Sequence, residues 1–497
     1  RKNIFGLTKG KMSLKKITSL SKVSLLILII LLGYLAAYAK NEKIPITSIE
    51  LDEAQSEEIA IRINDKAIIN NNFYGFGAET LPWLWTQENK EAGINKDDIK
   101  LNLQRIVDMQ LPITRIFLPW ETWNPSIDYK TFDWESDEMK SLYKILDVYQ
   151  KTGTRVILVT VDWLKDPPWR NTEASSQAVV GLLEYLINDK GYNCIEFWTL
   201  TNEPELTYGW LKKLPFENYV KIHQLVKKGI EESGILVKIV ASDDVESEEW
   251  FKSSVQSLSG IADIFSSHAY FYPQNIHIIP DFFRERSEFI KASSSTNKIA
   301  PFFLCEFGFR GDDFGACINS LIDDYAYGLY VANLCIEVLN SGVDAASLWC
   351  LHEIRLIDEI NPEGGKMMRI GLWGYKDKDW RPYPIFYLYR LFTRYIKSQS
   401  SVLEVDVLPS DTLKAACVEY NGNRSLFIVN MSSKKHNFSI EGLTSKTEFK
   451  KYVYSSELNF ANLQENLLEA ERKIKIYEKF RDEILPLSVV LYTSEEE

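Results

Sequence analysis

The chain has 497 residues, of which 45% are hydrophobic and 25% charged, with a net charge of -12. That length can bury a sizeable core and exceeds one typical domain, so a large domain with a smaller companion is expected. The acidic balance argues against nucleic acid as a partner, because a phosphate backbone needs a basic face.

In chain order, Lys11, Lys15, Lys16 and Lys22 precede an uncharged apolar run, Val23 to Ala39, that ends in Ala37-Tyr38-Ala39. Positive charge, an apolar stretch and then small residues are the marks of an export signal. Residues 1–39 are therefore expected to be a signal peptide or an N-terminal membrane anchor. The rest of the chain would be exported: secreted, periplasmic or at the cell surface. Left uncleaved, residues 23–39 would attach the protein to a membrane. Residues 40–71 read as two short strands, around Ile44–Leu51 and Glu58–Ile63, expected to join a β-sandwich.

From 72 to 397 the rhythm changes. Apolar strand-like runs alternate with amphipathic helical stretches. Strands are predicted at Phe73–Gly77, Ile113–Leu118, Arg155–Val161, Ile195–Leu200, Lys238–Ala241, Ile264–Ser267, Pro301–Glu306 and Ala345–Cys350. Helices are predicted at Lys96–Gln110, Asp137–Lys151, Ser175–Asp189, Phe216–Ser233, Glu249–Leu258, Asp281–Ala292, Ile322–Leu339 and Ile385–Ile396. The strands are apolar on both faces, as strands covered on both sides should be. This is an α/β pattern that fits a closed (β/α)8 TIM barrel. A doubly wound open sheet is the alternative, and no GxGxxG turn follows the first strand to favour its nucleotide-binding form. Residues 398–497 then read as a C-terminal all-β sandwich, with strands from Ser401–Leu408 to Leu487–Thr493 separated by turn signals such as Asn421-Gly422-Asn423.

Cys194, Cys305, Cys317, Cys335, Cys350 and Cys417 are scattered, with no CxxC and no metal spacing, and the five histidines are dispersed. No metal and no cofactor are expected.

Two stretches carry the chemistry. Trp198-Thr199-Leu200-Thr201-Asn202-Glu203-Pro204 and Phe303-Leu304-Cys305-Glu306 each set one glutamate at the end of an apolar strand. In a parallel barrel the active site lies at the C-terminal strand ends. Strands four and seven would bring Glu203 and Glu306 to one mouth. Two carboxyl groups facing each other across a pocket are the minimum equipment for splitting a glycosidic bond.

These residues resemble clan A of the glycoside hydrolases, whose pattern is Asn-Glu-Pro ending strand four and a second Glu ending strand seven. Ile113-Thr114-Arg115 to Trp120 is similar to the second strand of family 5. His268-Ala269-Tyr270 is similar to a His-x-Tyr pattern on strand six, and Leu348-Trp349 to the tryptophan of strand eight. Asp162-Trp163 to Pro168-Trp169 resembles a loop of family 30, and the residues around Phe197-Trp198 resemble family 39. Asp162 departs from the histidine that several cellulase-like families carry there. The resemblance spans about residues 72–495.

The resemblance implies a retaining β-glycoside hydrolase acting by double displacement on oligo- or polysaccharides. Glu203 would be the general acid and base, and Glu306 the nucleophile. Arg115 and Tyr270 would support Glu306, and Asn202 would grip a sugar hydroxyl. His268 would bind a hydroxyl or support its neighbours, and Trp349 would floor the reacting-sugar site. Trp83, Trp85, Trp120, Trp169 and Trp373 would line further subsites. Glu79 and the pair Asp243-Asp244 read as ambiguous, the pair more as solvated loop acids. A non-catalytic carbohydrate-binding protein on the same fold is the alternative.

Overall fold

A computed structural model describes residues 59–495 apart from 127, 162–167, 207–213, 246, 295–298, 312–317, 357–365, 410–412, 444–447, 464–467 and 477–478. The expected export segment, the strand near 44–51, Asp162, Trp163 and Cys317 lie outside the described residues.

The first strand, β1 (Ile59–Phe73), is followed by eight that close into a parallel barrel. These are β2 (Gly75–Thr80), β3 (Ile113–Pro119), β4 (Arg155–Val161), β5 (Ile195–Thr199), β6 (Lys238–Val245), β7 (Ile264–Phe271), β8 (Phe302–Phe309) and β9 (Ala345–Leu348). The helices between them follow the apolar periodicity, and local chemistry sets their ends. Asn95 and Asp98 form a reciprocal capping box at the start of helix Lys96–Met109. Ser136 caps helix Asp137–Thr152, and Gly153, at φ +74°, ends it.

The barrel interior is filled in layers. Tyr74, Ile113, Ile157, Phe197, Val240, Ile264, Phe303, Cys305 and Ala345 form one apolar cluster. Arg115, two residues beyond Ile113, therefore points into the same interior one layer higher.

After a short ribbon of β10 (Ile354–Leu356) and β11 (Lys366–Met368) come eight more strands. They are β12 (Ser400–Leu408), β13 (Leu413–Tyr420), β14 (Asn423–Asn430), β15 (His436–Glu441), β16 (Phe449–Tyr454), β17 (Arg472–Ile474), β18 (Lys479–Ile484) and β19 (Ser488–Thr493). With β1 they form one sheet in the order β17-β16-β19-β14-β13-β12-β1-β15-β18. Asn421 and Gly422, both at positive φ, make the two-residue turn between β13 and β14.

Residues of this sheet alternate between two cores. Ala415, Cys417, Leu426 and Ile428 face the module's own interior. Ala416, Val418, Phe427 and Val429 join the barrel core. Phe427 stacks on Phe392 with centroids 4.2 Å apart, and the Tyr395 and Tyr452 hydroxyls meet at 2.7 Å. The fold class is thus a (β/α)8 barrel with an appended β-sandwich. Besides the β10–β11 ribbon, two strands escape the sequence reading, β17 and β18. They are the outermost strands and rich in charge, which protects a sheet edge but removes the apolar signal.

Candidate active site

The C-terminal mouth of the barrel holds a buried cluster of charge built on Arg115. Its Nη1 donates to Glu79 Oε2 at 3.1 Å and to Glu306 Oε1 at 3.2 Å. Its Nη2 donates to Asn202 Oδ1 at 2.9 Å and to Asp243 Oδ2 at 2.6 Å. Arg115 and Glu79 are register partners on β3 and β2. Gly77 lets those strands approach, because a Cβ there would sit 2.2 Å from the Ile113 carbonyl oxygen.

Strict alternation does not place the other acids. On β8, Phe303 and Cys305 point into the barrel, so Glu306 should point out. The pairing of β8 with β7 slips between Leu304 and Glu306, and this irregularity turns Glu306 inward. On β6 a second bulge lies between Ser242 and Asp244, with φ +78° at Ser242 and +53° at Asp243. It sends Asp243 to Arg115 and leaves Asp244 on the other side. Glu203 has φ +44°, and its N–H donates to the Asp243 carbonyl at 3.1 Å. A left-handed glutamate is a strained conformation of the kind that collects at functional sites.

His268 joins the two glutamates. Its Nδ1 lies 3.1 Å from Glu203 Oε1 and 3.0 Å from Glu306 Oε2. Nε2 lies 3.2 Å from Asp243 Oδ1, within ion-pairing range but not aligned for a hydrogen bond. The Tyr270 hydroxyl donates to Glu306 Oε2 at 3.2 Å. The Glu203, His268 and Glu306 ligand atoms all fall within 4.8 Å of one another.

Burial and charge set the proton positions. Burial raises the Glu203 carboxyl, against the His268 hydrogen bond, and the neighbouring Glu306 charge adds to the rise. Burial would lower His268, but Glu306 and Asp243 hold its pKa well above the usual imidazole value. Burial would raise Asp243, but Arg115 and His268 keep it well below the ordinary carboxylate range. The Glu203, His268 and Glu306 set has the donor types of a metal site. An imidazole that holds both its protons has no lone pair for an ion, so at neutral pH this set favours a proton.

All seven residues singled out in the sequence lie at this mouth or on its strand ends. Glu203, Glu306, Arg115, Asn202, His268 and Tyr270 form one contact network. Trp349 is half-buried, stands at the end of β9 and packs on Phe117 with centroids 5.4 Å apart. The wider set of tryptophans is different. Trp120, Trp169 and Trp373 are buried among other rings, so they are core and present no stacking face. Trp83 is buried too, and only Trp85 is half-buried.

Glu79 and the Asp243-Asp244 pair are buried against Arg115 and Arg286 rather than solvated. Their place at strand ends was the available signal. Their partners depend on register, which one sequence does not display.

No family model matches the chain, and no curated relative matches its sequence. Solved structures do match its fold. A GH30 endoxylanase from Clostridium papyrosolvens C71 superposes with a TM-score of 0.61 at 12% identity, over 87% of this chain and 99% of that one. The catalytic domain of GH30 xylanase C from Talaromyces cellulolyticus gives 0.63 at 13% identity, over 87% and 99%. The GH51 α-L-arabinofuranosidase from Thermotoga petrophila RKU-1 gives 0.62 at 14% identity, over 88% and 100%. The fold is the one these glycoside hydrolases share. The matches span 87–88% of this chain, more than the barrel alone contains.

Proposed function

We propose that the protein is an exported, retaining β-glycoside hydrolase that cleaves oligo- or polysaccharides by double displacement. The observation that carries this reading is the approach of Glu203 and Glu306. One oxygen of each falls within 4.8 Å, with His268 between. Retaining enzymes need carboxyl groups about 5–5.5 Å apart, whereas inverting ones leave roughly 6.5–9.5 Å for a water.

The duties divide by environment. Glu203, buried and raised, is the group that keeps a proton and gives it to the leaving oxygen. Stripped of that proton it becomes the base that activates water in the second step. Glu306 accepts hydrogen bonds from Arg115 and Tyr270 and ion-pairs with His268, three contacts that orient its carboxylate for attack on the anomeric carbon. Water, activated by Glu203, then attacks the anomeric carbon of the glycosyl ester formed there, from the face the leaving group vacated, and releases the Glu306 carboxylate. Asn202, fixed by Arg115 through its oxygen, is the group for the sugar hydroxyl beside the reacting centre. Half-buried Trp349 supplies the apolar floor for the ring. Residues 1–39 direct export, as a cleaved signal or as an anchor. N-terminal sequencing of the mature protein distinguishes the two.

The test is product stereochemistry on a panel of β-linked glycans and aryl β-glycosides. NMR should show first-formed products that keep the β configuration. Glu306→Ala should cut kcat by roughly 10⁴-fold or more. Inverted products, or normal turnover by that variant, would overturn the mechanism.

A further inference from the structure

Six ionisable groups share the floor of the barrel mouth: the acids Glu79, Glu203, Asp243 and Glu306, and the cations Arg115 and His268. All are buried. Two cations balance two anions, and an uncompensated charge in a dry site is costly, so two of the four acids hold protons at neutral pH.

The contacts show which two. Asp243 faces both cations, Arg115 Nη2 at 2.6 Å and His268 Nε2 at 3.2 Å. Glu306 receives Arg115, His268 and Tyr270. Glu203 has its side-chain contact with His268 and serves as the acid. Glu79 has Arg115 Nη1 at 3.1 Å on one oxygen, while its other oxygen, Oε1, is buried without a hydrogen-bond partner. Leaving an anionic oxygen unpartnered costs more than leaving a neutral carboxyl oxygen unpartnered. Glu79 is therefore the second proton holder.

The same Arg115 Nη1 serves both Glu79 and Glu306. We propose that Glu79 is a positioning residue for the glycosidase reaction: as a neutral acid it leaves the positive charge of Arg115 to Glu306 and Asp243, and on ionising it competes for that charge. This rests on the hydrolase reading above. The groups facing Glu79 are Arg115 on β3, Glu306 on β8, Asp243 on β6 and the Tyr149 hydroxyl on helix Asp137–Thr152. Burial pushes its carboxyl up to about 8 against the pull of Arg115, and Glu306 and Asp243 add to the rise. Ionisation therefore falls on the alkaline side of neutrality.

Two readouts test this. The first is infrared difference spectroscopy of the wild-type protein across about pH 6 to 10. It should show a protonated carboxyl band lost through the middle of that range, and Glu79→Gln should lack that band. The second is the pH profile of kcat. The ratio of wild-type to Glu79→Gln kcat should change by about threefold or more between neutral and alkaline pH, because the amide cannot ionise to compete for Arg115. A merely structural role would lower activity by the same factor at every pH. If Glu79→Gln does not fold, the infrared titration of Glu203→Gln decides, because that variant lacks the other proton-holding acid and should keep the Glu79 band. A wild-type protein with no carboxyl titrating in that range, or a variant that keeps both the band and the profile, overturns the proposal. Absence of glycan turnover in the wild type would remove the hydrolase reading instead, and the infrared result would still report on the Glu79 proton.

Discussion

Asp243 and Asp244 are neighbours in the chain and equally buried, yet they belong to different parts of the molecule. Asp243 turns into the barrel mouth, where Arg115 and His268 keep it ionised. Asp244 turns into the barrel wall. Its carboxylate accepts from Ser242 at 2.7 Å and Ser267 at 2.9 Å, and lies 3.5 Å from Arg286. Burial raises its carboxyl against the pull of Arg286. One bulge in β6 separates the two environments. Residue type and burial therefore do not identify a site residue. The side of the strand does, and a bulge can reverse that side over one residue.

The comparison can be broken on either side. The largest effect is expected inside the mouth. Glu203→Gln should cut kcat on substrates with poor leaving groups by about 10²–10⁴-fold. In the wild type, the alkaline limb of kcat/KM should lie above the ordinary carboxylate value of about 4.3, since a raised acid keeps its proton to higher pH. A limb at the ordinary value would remove Glu203 as the acid.

On the wall side, Asp244→Ala removes the buried carboxylate that lies 3.5 Å from Arg286. It should cost on the order of 3 kcal/mol in a denaturant titration. Folded enzyme should keep its kcat, and a selective loss of kcat would place Asp244 in the chemistry after all.

Asp243→Asn should instead cut kcat about tenfold to a hundredfold. It should also lower the pH at which the His268 imidazole titrates by NMR, because one of the two carboxylates holding that proton is gone. An unmoved His268 titration would show that the 3.2 Å approach carries no charge coupling.

Tyr270→Phe is the smallest change. It removes one hydrogen bond to Glu306 and should cost about tenfold in kcat with little change in KM.

Much of the barrel was legible in the sequence because its signals are local. Apolar runs doubly covered by helices, and amphipathic stretches between them, mark strand and helix without reference to any distant residue. The charged outer strands β17 and β18 were invisible for the opposite reason, since pairing with neighbours, not side-chain pattern, makes them strands. At the mouth, the strand-end positions of Glu203, Glu306, His268 and Tyr270 could be read from the apolar runs before them, whereas Arg115 stands inside β3. The tryptophans could not be sorted, because an indole that stacks on sugar and one that fills a core have the same sequence signature.

The sequence by itself thus determined the order of strands and helices and which acids stand at strand ends. Only the tertiary structure decided which of those acids meet. Glu79 finds Arg115 through the register of β2 on β3, permitted by Gly77. Glu306 and Asp243 reach the interior through register slips in β8 and β6 that alternation would not predict. Register and bulges are properties of strand pairs, fixed by backbone hydrogen bonds between segments far apart in the chain, so no single segment encodes them.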